Sequence, residues 1–268
     1  MNSTPLRASE AHVIVIGAGR LGTVLTRALR TAGVRVDGPF GRDDADEAPV
    51  ADVAILCVPD AQIPAAARAV RERVRLIGHV SGATTLGDAD FGIHPLQTFT
   101  GAEPPEVFHG IGCAVAGRTP QALGLAEGLA RLLGARPFRI DDAHRAAYHA
   151  AASLASNFTL TVLDAAERLA GAAGIPAAEA RTLLTPLASR TLDNWTAQGA
   201  AAALTGPIAR GDEQTVRRQR DAVAASMPAL LPLFDELCDR TRTIAAAGAS
   251  AASVPPREPV PPREGVPA

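Results

Sequence analysis

The stretch "HVIVIGAGRLGTVLTRALRTAG", beginning at His12, constrains the fold more than any other part of the chain. A run of Val and Ile leads into a turn with three glycines, followed by Leu21, Val24, Leu25, Ala28 and Leu29 at helical spacing. Strand, tight turn and amphipathic helix in that order open a doubly wound α/β fold. Within "GAGRLG", Gly17 permits the turn, Gly19 lets the backbone approach a pyrophosphate, and Gly22 allows close packing of the helix. The backbone amides of this segment, including those of Ala18, Arg20 and Leu21, would then face the anion at the helix start.

Strand and helix signals continue to alternate. "VRVDG" and the apolar run "VADVAILCVPD" are strands, and the helix "AQIPAAARAVRERV" leads to the strand "VRLIGHVSG". Further on, "GIGCAVAG" and "ARPFRI" flank the helix "PQALGLAEGLARLLG". The pattern predicts a leader over 1–11 and a Rossmann domain with a parallel sheet over 12–140. From Asp141 helical signals follow one another, predicting an all-helical domain over 141–245. Its first helix is read as continuous through "AAYHAAASLASNFTLTVLDAA", and its second as bent at Pro186. The segment 246–268, with "VPPRE" repeated, is too rich in Pro, Ala and Ser to bury a core and is expected to be a disordered tail.

Composition narrows the function. A net charge of -2, with acids and bases interspersed, offers no basic footprint for nucleic acid. No apolar run approaches the roughly 20 residues that span a bilayer, and "MNSTPLRASE" lacks the apolar centre of a signal peptide, so a cytoplasmic protein is expected. Cys57, Cys113 and Cys238 are odd in number and lack metal-ligand spacing, so neither a disulfide nor a metal is assigned. All 26 basic residues are arginine, which excludes any mechanism that needs a lysine.

Candidate site residues gather in the turns after the strands. Val58 and Pro59 in "CVPDAQI", and Ser81 in "HVSGA", lie where ligands collect in open parallel sheets. Asp37, ending the second strand, would suit the ribose hydroxyls of NAD. Arg42 just beyond it would suit the 2′-phosphate of NADP, and NADP is the expected cofactor with NAD possible. "GIHPLQTF" reads as a loop that presents His94, able to polarise a carbonyl or carry a proton. His149, Ser153 and Asn157, four residues apart, form a polar stripe on an otherwise apolar helix. In "ALTGPIARGDEQTV", Thr205 and Arg210 are candidate substrate-binding groups, and Asp212 reads as the N-cap of the next helix.

The strings "IGAGRLG", "VPD", "SGA", "HPLQTF", "YHAAASLASN" and "LTGPIARGD", in that order, resemble bacterial Rossmann-like proteins with a C-terminal helical domain of unknown function. These lie within the 6-phosphogluconate dehydrogenase-like superfamily, alongside pyrroline-5-carboxylate reductase, ketopantoate reductase and the deazaflavin-dependent NADP oxidoreductases. The resemblance implies an active site in the cleft between the two domains and a homodimer formed through the helical one. His94, His149 and Asn157 would then be catalytic, with Ser153, Thr205 and Arg210 binding the substrate. The expected activity is NADP-dependent reduction of a small carboxylate-bearing carbonyl or imine. Alternatives are a non-catalytic NADP-binding sensor or scaffold, and a deazaflavin-linked oxidoreductase. The chain departs from the ketopantoate-type enzymes in having no lysine, and from the pyrroline reductases in lacking a Ser-Gly-Ser-Gly-Pro segment.

Overall fold

The computed structural model of the chain describes residues 6–41 and 44–252. They divide into two compact units, with the division after Phe158. The first is a seven-stranded sheet: β1 (His12–Ile16), β2 (Arg35–Phe40), β3 (Ala51–Leu56), β4 (Val74–His79), β5 (Phe91–Pro95), β6 (Gly112–Gly117) and β7 (Arg136–Arg139). The spatial order is β2-β1-β3-β4-β5-β6-β7, and every pairing is parallel except β5 with β6.

Alternation along the strands builds two cores. Val13, Val15, Val53 and Ile55 point to one face, where they meet Val24, Leu25 and Leu29 of α1 (Arg20–Thr31). The same face packs Leu125 and Leu129 of α3 (Pro120–Leu132). Ile14, Ile16, Ala54 and Leu56 point to the other, against Ile63, Ala67 and Val70 of α2 (Ile63–Val70). Both faces of the central strands are thus buried, which explains their near-continuous apolar sequence.

One strand departs from the sequence reading. Gly92–Phe99 is expected from the sequence to be a loop, but its first four residues belong to β5, inserted between parallel β4 and antiparallel β6. Gly78 of β4 sits opposite Phe91, and a methyl group there would lie 2.2 Å from the aromatic ring. The fully buried Phe91 is therefore seated by the absence of a side chain on its neighbour.

The first unit also contains α4 (Arg145–Ala155), and α5 (Asn157–Ala172) begins at its end. The single helix expected through this region is broken at Ser156, whose φ of -119° and ψ of -78° leave the helical range. His149 and Ser153 stay on α4 while Asn157 opens α5, so the three do not share one continuous helix face.

The second unit holds the rest of α5, α6 (Ala177–Ala203), α7 (Glu213–Ser226) and α8 (Leu231–Ala252). Pro186 lies inside α6, and the residue that leaves helical geometry is instead Gly199, at φ +77°. Asp212 caps α7 by accepting a hydrogen bond from the Thr215 amide. Residues 246–252, expected to belong to the tail, continue α8, and 253–268 lie outside the described residues. No helix among the described residues is long and apolar enough to cross a membrane.

Candidate active site

The order of strands reverses between β1 and β3, where doubly wound sheets open a crevice at their carboxyl ends. A cavity of about 600 Å³ lies there, lined by Gly17, Ala18 and Gly19 on one side and by Cys57, Val58 and Pro59 on the other. The three glycines have separate causes. Gly17 has φ +112°, and a Cβ on it would lie 2.3 Å from the Cys57 carbonyl oxygen. A Cβ on Gly22 would lie 1.9 Å from the Gly17 carbonyl oxygen, so α1 can start this close to β1 only without one. A Cβ on Gly19 would meet nothing within 4 Å. Gly19 is thus open toward a ligand where the other two are closed against the protein.

The start of α1 is suited to an anion. Gly19 is its N-cap and supplies no side chain to the first amides, and the first turn contains no acid. Free amides and an uncompensated helix dipole fit a pyrophosphate. Ala18 and Arg20 are exposed at this turn, and Leu21 packs partly against the core.

Asp37 is not at the end of β2. It pairs in register with Ile14, and its carboxylate lies 2.6 Å from His12 Nε2, while the strand continues to Phe40. The acid is therefore three residues short of the strand's carboxyl end and already has a partner. The chain continues in sequence from Phe40 into Gly41 and Arg42, and Arg42 lies outside the described residues.

A second group of polar residues forms around the ends of β4 and β5. The Ser81 hydroxyl donates to Asp60 Oδ2 at 2.8 Å and accepts from the amides of Ala83 and Thr84. One donor and two lone pairs exhaust a hydroxyl, so Ser81 latches the β3–α2 turn to the end of β4. His79, wholly buried, accepts from the Ser81 amide at Nδ1 and donates from Nε2 to the Thr85 carbonyl. Burial foremost, then the charge of Arg145, lowers its pKa to about 4.

Beyond Ser81 comes Gly82, where a Cβ would lie 2.8 Å from His94 Nε2 and 3.0 Å from His149 Cδ2. His94 and His149, 55 positions apart in sequence, have ring centroids 6.3 Å apart over this glycine. The Tyr148 hydroxyl lies 2.6 Å from His94 Nδ1. Burial first, then the charges of His149 and Arg145, lowers the pKa of His94 to about 4, so it is a neutral imidazole near pH 7. Burial raises the Tyr148 phenol to about 12.

Arg145 supports this group from below. Its guanidinium is buried, bonds Asp142 through Nε at 2.7 Å and the Ser81 carbonyl through Nη1 at 3.3 Å, and lies over Gly92. Among the described residues its Nη2 has no hydrogen-bond partner, an expensive arrangement for a buried cation.

The structure thus brings His94 and His149 together and adds Tyr148, Arg145, Asp60 and Gly82, which sequence reasoning did not single out. Tyr148 carried one signal, being the only tyrosine of the chain and directly preceding His149. Thr205 and Arg210 lie in the second unit, both exposed, on a turn closed by bonds from the Arg210 and Asp212 amides to the Pro207 carbonyl. Among the described residues no group of three or more His, Cys, Asp or Glu is arranged to hold a metal ion.

Comparison with known proteins places this architecture. A Bacteroides fragilis protein whose proposed assignment is NADP oxidoreductase superposes with a TM-score of 0.74 at 22% identity, over 88% of this chain and 99% of that one. A Thermotoga maritima protein gives 0.72 at 22% identity with the same coverage of both chains, 88% and 99%. Plasmodium falciparum pyrroline carboxylate reductase with NADP bound gives 0.57 at 9% identity, again over 88% and 99%. No curated protein matches the chain. The chain is a Rossmann-like protein with a helical C-terminal region, and its residues 111–241 match the family described as a domain of unknown function, DUF2520.

Proposed function

We propose that the protein is an NAD(P)-dependent oxidoreductase, with NADP its cofactor, that reduces a small carboxylate-bearing carbonyl or imine. The observation that carries this reading is the pairing of two features in one unit. One is a glycine turn closed at Gly17 and Gly22 but open at Gly19, facing a cavity at the switch point. The other is the His94–Tyr148–His149 group, bordering Gly82 next to the Asp60–Ser81 latch. Neighbours that include an enzyme solved with NADP add support.

When bound, the dinucleotide supplies a hydride to the carbonyl or imine carbon, whose heteroatom takes a proton. His94, a neutral imidazole, orients and polarises that heteroatom by hydrogen bonding, and His149 or a water supplies the proton. Arg210 and Thr205 are proposed to hold the substrate, the guanidinium meeting its carboxylate. The assignment of NADP over NAD rests on Asp37 being engaged by His12 and on Arg42 following the end of β2. The helical unit is proposed to form a homodimer, supported by the exposed Leu183, Leu187, Leu192 and Trp195 of α6.

Calorimetry tests the cofactor. NADPH is expected to bind the wild type, and Arg42→Ala to weaken NADPH by roughly tenfold to a hundredfold while sparing NADH. Gly19→Asp should abolish both without lowering the melting temperature, because a Cβ there meets nothing within 4 Å and Asp is a favoured residue at this N-cap position. If neither nucleotide binds the wild type, the proposal falls. If NADPH binds but no carbonyl or imine oxidises it, the sensor reading replaces it.

A further inference from the structure

The contact between His94 Nδ1 and the Tyr148 hydroxyl, 2.6 Å, can be made in two ways. Either the phenol donates to Nδ1 and the ring proton sits on Nε2, or Nδ1 carries the proton and donates to the phenol oxygen. The second arrangement leaves the phenol hydrogen to find another acceptor, and among the described residues Tyr148 makes no other hydrogen bond. Its ring is held edge-on against both Phe138 and His94, which fixes where the hydroxyl points. Half-buried and kept protonated by that burial, the phenol always has a hydrogen to give.

The opposite edge of the imidazole faces Gly82. Nε2 lies 2.8 Å from where a Cβ would stand, and it has no hydrogen-bond partner among the described residues. His149 borders the same space, and Asp60, His79 and Arg145 are the other charged or titratable groups that act on His94.

We propose that Tyr148 is a positioning residue that locks His94 as its Nε2–H tautomer, so that the imidazole offers an N–H to a neutral acceptor beside Gly82. For the substrate, this rests on the reductase reading and selects within it. A carbonyl oxygen has lone pairs to receive that hydrogen, whereas an imine accepts hydride readily only once its nitrogen is protonated, and that nitrogen then has no lone pair. The buried Arg145 cation next to the group further disfavours a cationic substrate. The site is therefore built for a carbonyl. Fixing a tautomer through the far nitrogen is the general means by which a second group orients a working histidine.

The test uses the full chain with nitrogen-15 labelled histidine. Two-bond nitrogen–proton correlation spectra at pH 7.5 distinguish a protonated from an unprotonated ring nitrogen. His94 is assigned by loss of its signals in His94→Gln and, independently, by through-space contact to the single tyrosine ring. The wild type should show His94 with Nε2 protonated and Nδ1 bare. In Tyr148→Phe, which keeps the aromatic packing, the Nδ1 resonance should move upfield as the two tautomers mix. Nδ1–H in the wild type, or a tautomer unchanged in Tyr148→Phe, overturns the lock. With a carbonyl substrate, Tyr148→Phe should lower kcat by on the order of tenfold or more and leave the KM for NADPH unchanged. A lock seen by spectroscopy in a protein that reduces only imines supports the tautomer and overturns the carbonyl assignment. The lock in a protein that reduces nothing overturns the reductase reading alone.

Discussion

The two compact units spend their apolar residues in opposite ways. In the first, Val, Ile and Leu from the central strands and their helices lie within a few per cent of complete burial. In the second, the buried apolar side chains among the described residues are Ala180, Val216, Val223 and Cys238, all small or medium in size. Several of its larger ones, among them Leu160 on α5, Trp195 on α6 and Leu237 on α8, stand exposed. A sheet covered on both faces by its own helices is closed upon itself. Helices whose Leu and Trp face outward have apolar surface left over for something else to cover.

If the first unit is self-contained, damage to its interior should be costly by itself. Phe91→Ala removes a wholly buried ring seated in a fitted recess, and a loss of about 3–5 kcal/mol is expected in denaturant unfolding. A loss under about 1 kcal/mol would mean that this core is looser than its geometry.

The same unit should be acid-sensitive. His79 and His94 have folded pKa values of about 4, below the ordinary 6.5, so the unfolded chain binds more protons between those limits. Their contribution to stability is complete above pH 6.5 and is lost as the pH falls toward 4, by roughly 3 kcal/mol per histidine at most. Unfolding measured at pH 7.5 and 4.5 should show the drop, and His79→Gln should make it smaller. A flat profile would break the contrast.

The leftover surface of the second unit is tested by charge. Leu187 and Trp195 are 66% and 58% exposed and lie two turns apart on α6. Replacing both by Glu should cost about 2 kcal/mol or more of association, seen in light scattering as a shift from dimer to monomer. A wild type that is already monomeric at micromolar concentration would sink the dimer.

The smallest effects should be equal in the two units. Thr119 caps α3 and Asp212 caps α7, each through one hydrogen bond to a first-turn amide. Substitution of either by Ala should cost about 1 kcal/mol, because a cap is local and indifferent to what the rest of its unit buries. Unequal costs would show that one cap is doing more than capping.

What could be read from the sequence follows the same distinction between local and distant causes. The roles of Gly17 and Gly22 were readable because strand, turn and helix lie within one short segment. Asp212 was readable as a cap for the same reason. β5 was not, since "FGIHP" contains Gly, His and Pro and becomes a strand only by pairing with β4 and β6. The break at Ser156 follows directly on an Ala-rich run of good helix formers, which masks it. Asp37 was misplaced because β2 runs three residues further than its apolar pattern suggested. In the candidate site, His94 and His149 stood out as residue types, but the contact of His94 with Tyr148 spans 54 positions. Arg145 looked like any other arginine on a helix until its burial was known.

The buried thiols have a consequence for watching this molecule move. Burial lifts Cys57 and Cys113 to about 12, and Cys238 is also raised, so none presents a reactive thiolate at neutral pH. For the buried Cys113 and Cys238, alkylation must then wait for a local opening that wets the sulfur. Cys113 lies inside the first unit and Cys238 inside the helical unit. Each unit therefore carries a clock of its own, and the labelling rates of these native cysteines would time how often each one opens without adding any foreign probe.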